Sequence, residues 1–305
     1  MPRYDHIFVI VEENHTADQI LDSGRAPAFD RLAREYGVAT AFFAETHPSE
    51  PNYIAMLGGD GPRNYLMVFQ TNAEARGTGG LMGGTAILHI ENGRISLEKP
   101  ATNDIPIDYP GFPINPDFDK MYGPWNASGD WQNANFSPHF PYAGEIWRHI
   151  WALKTGMTVD GVIATDPVAL AYLLNATGPV TLASGEVINA NNVVSITENE
   201  AYFRYGDDNE ARKTYLQEIS KAVIDHVNSA QGSMHALLDA LKYALTERRI
   251  AVWSARPDEQ SVLDTLAVSH RLPDTPVPYA QVIANNGAGG KLDYYLGRDI
   301  TYTAG

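Results

Sequence analysis

Two spacings of apolar residues alternate along the chain. Ile7-Phe8-Val9-Ile10-Val11 is an unbroken apolar run, the pattern of a strand buried on both faces. Phe29, Leu32 and Ala33 then recur at helical spacing between Ala26 and Tyr36, and Gly37 is a stop signal. Residues 38–44 return to an extended apolar pattern, and Asn52 to Leu57 can open another helix. The first sixty residues therefore read as a strand-helix-strand-helix unit.

Beyond that unit the pattern predicts strands at Tyr65–Phe69, Thr85–Ile90, Ile95–Leu97, Gly161–Ala164, Val180–Leu182 and Ile250–Trp253. Helices are expected over Ala143–Leu153, Asp166–Asn175, Asn209–Val227 and Met234–Ala244. Gly77–Gly84 reads as a glycine-rich loop between two strands; without a Gly-Lys-Ser or Gly-Lys-Thr ending it suits a close backbone crossing better than a nucleotide phosphate. Glu91-Asn92-Gly93-Arg94 reads as a hairpin turn. Pro100–Pro141 is a long loop whose Trp125, Trp131, Phe136 and Phe140 either pin it to the core or line a groove. The expected fold is α/β, a mixed sheet flanked by helices, with segments 1–60 and 61–305 as its two parts.

Composition narrows the partners. The chain has 305 residues, with 22 basic and 37 acidic side chains and a formal net charge of −15. Such a balance repels nucleic acid and anionic lipid, so a phosphate-bearing substrate has to be held locally by arginine, backbone amides or a metal. There is no cysteine, which removes thiolate metal sites and thiol nucleophiles. No run approaches the length of a membrane helix, and no apolar leader precedes the first strand, so a cytoplasmic location is the expectation.

The candidate chemistry begins at the end of the first strand. Glu13 and Asn14 follow Val11 at a carboxyl-terminal strand edge, where open α/β sheets bind ligands. Ser49 lies in Thr46-His47-Pro48-Ser49-Glu50-Pro51-Asn52-Tyr53, ahead of a helix start whose amides suit phosphate oxygens. The structural alternative is that Glu13 and Asn14 cap a turn and Ser49 satisfies local backbone. Asp166-Pro167 reads as a helix N-cap followed by proline at N1, and His89, His149, His226 and His235 read as structural. Asn285–Lys291 reads as a loop more than as a phosphate cradle, with Lys291 the candidate for the latter.

Glu13-Asn14-His15 and the Thr46–Tyr53 stretch resemble the opening motifs of the phosphoesterase family of acid phosphatases and phospholipases C, in the alkaline phosphatase superfamily. That resemblance implies Ser49 as the nucleophile, Glu13 as a ligand of a divalent metal ion, Asn14 as a phosphate or metal contact, and Asn52 as a phosphate-oxygen donor. It implies further Asp and His ligands as well, and no Asp-Glu followed by Gly-His stands in this chain. From about Gly61 onward, Arg63–Gly80, Trp131–Pro138, Val159–Pro167 and Thr177–Val180 resemble a bacterial cell-envelope family of unknown function. Its layout is similar to that of the LytR-CpsA-Psr glycopolymer ligases, which act on polyprenyl pyrophosphates. The comparison implies Arg76, Arg204 and Arg212 as pyrophosphate-binding candidates, guanidinium forks being suited to phosphate oxygens. The ligase Arg-x-Asp is replaced here by Glu74 ahead of Arg76, and a surface ion pair is the alternative for Arg204 and Arg212.

Three function classes follow: a metal-dependent phosphoester hydrolase using Ser49, a pyrophosphate-lipid transferase or binding domain, and a catalytically silent chimera or truncated chain. Both resembled families act outside the cytoplasm, which sets the missing leader against the resemblance.

Overall fold

The computed structural model describes residues 27–36, 61–92, 94–102, 109–229, 234–287, 289–301 and 303. The chain separates into two compact units, Met1–His47 and Pro48–Gly305. In the first, helix α1 (Pro27–Tyr36) opens on proline and carries Asp30 in its first turn and Arg34 in its last, matching the helix dipole. The expected strands at 7–11 and 38–44, and the helix start at Asn52, lie outside the described residues.

The second unit is built on strands β1 (Arg63–Arg76), β2 (Gly79–Glu91), β3 (Arg94–Thr102) and β4 (Gly161–Thr165), with a two-stranded pair β5 (Val180–Thr181) and β6 (Val187–Ile188), and β7 (Ile250–Ser254). The main sheet runs β3-β2-β1-β4-β7; β1 and β4 are parallel and the other neighbours antiparallel. Its helices, besides a single short turn at Val193–Ser195, are α2 (Pro116–Tyr122), α3 (Phe140–Thr155), α4 (Pro167–Thr177), α5 (Ala201–Tyr205), α6 (Asn209–Ser229), α7 (Met234–Thr246) and α8 (Pro257–Leu263). This is the mixed sheet flanked by helices that the pattern predicts.

Period-2 alternation in β1 explains its unbroken apolar run. Leu66 and Val68 face a cluster with Trp131, Phe140, Ile146 and Trp147, while Tyr65 and Met67 face Leu88 and Ile90 on the other side. Each fully buried large side chain contributes about 1.5–3 kcal/mol of transfer free energy. A second cluster joins Leu170 and Leu174 of α4 to Tyr215, Ile219 and Val223 of α6. Trp131, Phe136 and Phe140 are core residues, whereas Trp125 is 65% exposed.

Two expectations are corrected: Pro100–Pro141 is not loop throughout, since β3 runs to Thr102 and α2 (Pro116–Tyr122) lies within it, and the glycine-rich stretch is largely strand. Residues 79–84 are not a loop; they begin β2, and β1 extends to Arg76, so only Gly77 and Thr78 turn. The glycines serve close backbone packing. A Cβ on Gly80 would lie 2.1 Å from the Thr71 carbonyl oxygen, and one on Gly77 would lie 2.3 Å from that of Phe136.

Burial also holds two histidines neutral. His139 Nδ1 accepts the Leu272 amide at 3.1 Å, and burial, aided by Arg271, lowers its pKa to about 4. His270 is 2% exposed, and burial lowers it to about 3. Both groups bind protons more readily unfolded than folded. Their stabilising contribution is therefore complete above the ordinary histidine value and is lost as pH falls toward the folded values. The thermal midpoint should drop between about pH 7 and about pH 5, and His139→Gln should shrink that drop. Equal slopes in melts of the two proteins would contradict the assignment.

Candidate functional site

A cavity of about 180 Å³ opens in the second unit, and its lining has two chemical characters. Phe69 of β1, Leu81 of β2, Leu170 of α4 and Leu216 of α6 supply apolar wall, while Glu74, Asp166, Glu198, Arg212, Lys213 and Lys291 bring charge to it.

The cavity forms where β1 departs from β2. Thr71 pairs with Leu81 and Ala75 with Gly80, so residues 72–74 bulge out with no partner on β2. Their amides need acceptors. Glu198 supplies them: its Oε1 accepts from Asn72 N at 3.1 Å, and its Oε2 from Ala73 N at 3.0 Å and from the Thr71 hydroxyl at 2.5 Å. Glu198 stands in a π-type turn, Ile196–Glu200, directly before α5. Single π turns and β-bulges recur beside functional sites, and here one answers the other. Burial raises the Glu198 pKa, opposed by Thr71, the Ala73 amide and Lys291.

The far wall is a segment without long helix or strand. Asn286 N donates to Ala75 O at 2.9 Å, and Asp293 Oδ2 accepts from Ala75 N at 3.0 Å and from Asn286 Nδ2 at 2.7 Å. The Tyr295 hydroxyl donates to Asn199 Oδ1 at 2.6 Å. These bonds carry Lys291, at the head of a short 3₁₀ turn, to the cavity. Its Nζ lies 2.8 Å from Glu74 Oε1 and 3.1 Å from Thr71 Oγ1, and 4.6 Å from the ring centre of Tyr202. Burial pulls this ammonium down, but Tyr202 and Glu74 outweigh it and leave the pKa above the ordinary lysine value.

The expected phosphate-binding arginines separate. Arg212 lines the cavity, its guanidinium 4.3 Å from the ring centre of Tyr202. Its other contacts among the described residues are Gly206 O and Asn209 Oδ1, with no carboxylate. Arg204 instead makes a bidentate pair with Glu186, at 2.8 and 2.9 Å, and lies over Tyr215. Arg76 is buried and donates to the carbonyls of Ala75, Asn286 and Gln132, stacking on Phe136. Neither Arg204 nor Arg76 lines the cavity. Asp166 caps α4 as expected, accepting the Val168 and Ala169 amides, both at 3.0 Å.

Ser49, Glu13, Asn14 and Asn52 lie outside the described residues. Among the described residues no group of three His, Asp or Glu could hold a metal ion, and no helix is long and apolar enough to cross a membrane. The sequence did not mark Glu198, and it named Lys291 as a candidate while reading the stretch that carries it as a loop. The available signal was an acid just after the largely apolar stretch Val193–Ile196, together with a lysine closing a glycine-rich run.

Residues 60–202 match the family described as Protein of unknown function (DUF4012). A stretch of 60 residues is 40% identical to Phosphatidylinositol-3-phosphatase of Mycobacterium tuberculosis, covering 20% of each chain. The chain thus spans about one fifth of the length of the curated relative it matches. Two solved structures are similar at low identity. The transcriptional regulator yvhJ of Bacillus subtilis has 12% identity and a TM-score of 0.33, over 68% of this chain and 77% of that one. Protein gbs0355 of Streptococcus agalactiae has 15% identity and a TM-score of 0.40, over 75% and 78%.

Removing the Glu198 carboxylate should orphan three donors at once, two of them buried. Glu198→Ala is expected to cost about 3 kcal/mol or more in chemical unfolding, against less than about 1 kcal/mol for Glu186→Ala at the exposed pair. Similar costs for the two would contradict the role given to Glu198.

Proposed function

We propose that the second unit binds an amphiphilic, phosphorylated ligand of the lipid-linked diphosphate class. The observation that carries this reading is Arg212: a guanidinium on the wall of a largely apolar cavity, stacked on Tyr202, with no carboxylate partner among the described residues. A hydrocarbon chain suits Phe69, Leu81, Leu170 and Leu216, and an anionic head suits Arg212 and Lys291. In a chain of net charge −15 such a head must be captured at short range, and two cations on one aromatic ring meet that need. The similarity of layout to polyprenyl-pyrophosphate ligases points the same way. In calorimetry with geranyl diphosphate as probe, Arg212→Ala should weaken binding by about tenfold or more, while Arg204→Ala, at the Glu186 pair, should change it by less than about twofold. Equal effects of the two substitutions, or no binding by the parent chain, would reject the reading.

A second reading rests on the 60-residue likeness to a phosphatase. In it the chain is a metal-dependent phosphoester hydrolase. The Ser49 oxygen attacks phosphorus, the ester oxygen leaves, and water resolves the phosphoserine. Asn14 and Asn52 orient the phosphate oxygens, and Glu13 contributes to holding a divalent ion, whose chemistry would be charge neutralisation at the phosphoryl group. Turnover of an aryl phosphate in Mn²⁺, Zn²⁺ or Mg²⁺ that disappears in Ser49→Ala is the expected result. Undiminished turnover in that variant would remove Ser49.

A further inference from the structure

The three carboxylates of the cavity are not equivalent. Asp166 is committed twice over, by its helix cap through Oδ1 and by Arg249 Nη1 at 3.2 Å through Oδ2. Glu198 is committed to the Thr71 hydroxyl and two bulge amides. Glu74 has Lys291 as its hydrogen-bonded partner among the described residues, although it is only 7% exposed. Arg76 acts on Glu74 through its charge, but Lys291 is the cation in hydrogen-bonding contact, and a carboxylate held by one such contact is the exchangeable one of the three.

The cations differ in the same way. Arg212 and Lys291 both lie on Tyr202, at 4.3 and 4.6 Å from its ring centre, so the two charges are no more than about 9 Å apart. Glu74 neutralises the Lys291 end of this pair, and no carboxylate among the described residues neutralises the Arg212 end. An anion attracted to Arg212 therefore meets Glu74 as a competitor for Lys291.

Resting on the reading that the cavity takes a phosphorylated amphiphile, we propose that Glu74 is the built-in anion of the empty cavity and that Lys291 is the specificity-determining cation, exchanging Glu74 for a phosphate group of the ligand. The exchange favours a head bearing several negative charges, because a single charge only replaces the carboxylate that it displaces. A neutral alcohol of the same chain gains nothing at Lys291. The segment around residues 285–295 thus acts as a specificity element, since the bonds of Asn286 and Asp293 to Ala75 and of Tyr295 to Asn199 fix where the ammonium stands.

The test compares geranyl diphosphate with geraniol by calorimetry on the full chain, with circular dichroism as the folding control. Lys291→Met should weaken diphosphate binding by about tenfold and change geraniol binding by less than about twofold. Glu74→Gln, nearly the same shape without the charge, should tighten diphosphate binding by about threefold or more and leave geraniol unchanged. If Lys291→Met does not fold, Glu74→Gln alone decides, because weaker or unchanged diphosphate binding there overturns the exchange. Parallel losses for both probes in Lys291→Met would overturn the specificity role while leaving the cavity reading intact. Failure of the parent chain to bind either probe would remove the cavity reading itself, and this proposal with it.

Discussion

Backbone amides that leave a sheet inside a protein must find other acceptors, and that requirement organises the second unit. Between Thr71 and Ala75 the central strand loses its ladder with β2. Glu198 receives the amides of Asn72 and Ala73, and Asp293 receives that of Ala75. Each carboxylate arrives on a different element. One brings the π-type turn and Tyr202 behind it, and the other brings the carboxyl-terminal segment and Lys291. The groups that repair the strand and the groups that furnish the cavity therefore come together.

On the proposed reading, this coupling lets a strongly acidic chain present a local anion site. Its excess of acids is tied up where it reaches the cavity: by a helix cap, by a bulge and by one lysine. Arg212 and Lys291 are then held on an aromatic ring, which orders them without neutralising them. The phosphate-handling readings from sequence and from geometry differ in where they locate the chemistry. The Ser49 segment speaks for ester cleavage, and the cavity speaks for recognition of an amphiphile.

Much of the architecture was legible because local rules and tertiary packing agree. The unbroken run Tyr65–Phe69 marks a strand with two buried faces, Asp166-Pro167 marks a helix start, and Glu91–Arg94 marks a hairpin. The glycine stretch misled, because glycine signals both turns and close crossings, and only the Thr71 and Phe136 carbonyls distinguish them. Of the arginines read as phosphate ligands, Arg212 reaches the cavity and Arg204, on the preceding helix, turns to Glu186. Glu198 was not legible, and Lys291 was named only as a candidate in a turn-rich loop, since their partners at Thr71 stand more than a hundred residues away in sequence.

The most direct trial of this account is a crystal structure of the chain soaked with geranyl diphosphate. The account predicts the isoprenoid chain against Leu170 and Leu216, the diphosphate beside Arg212 and Lys291, and the Glu74 carboxylate turned away from the ammonium. Density for the ligand elsewhere on the surface, with the Lys291–Glu74 pair intact and the cavity empty, would contradict it.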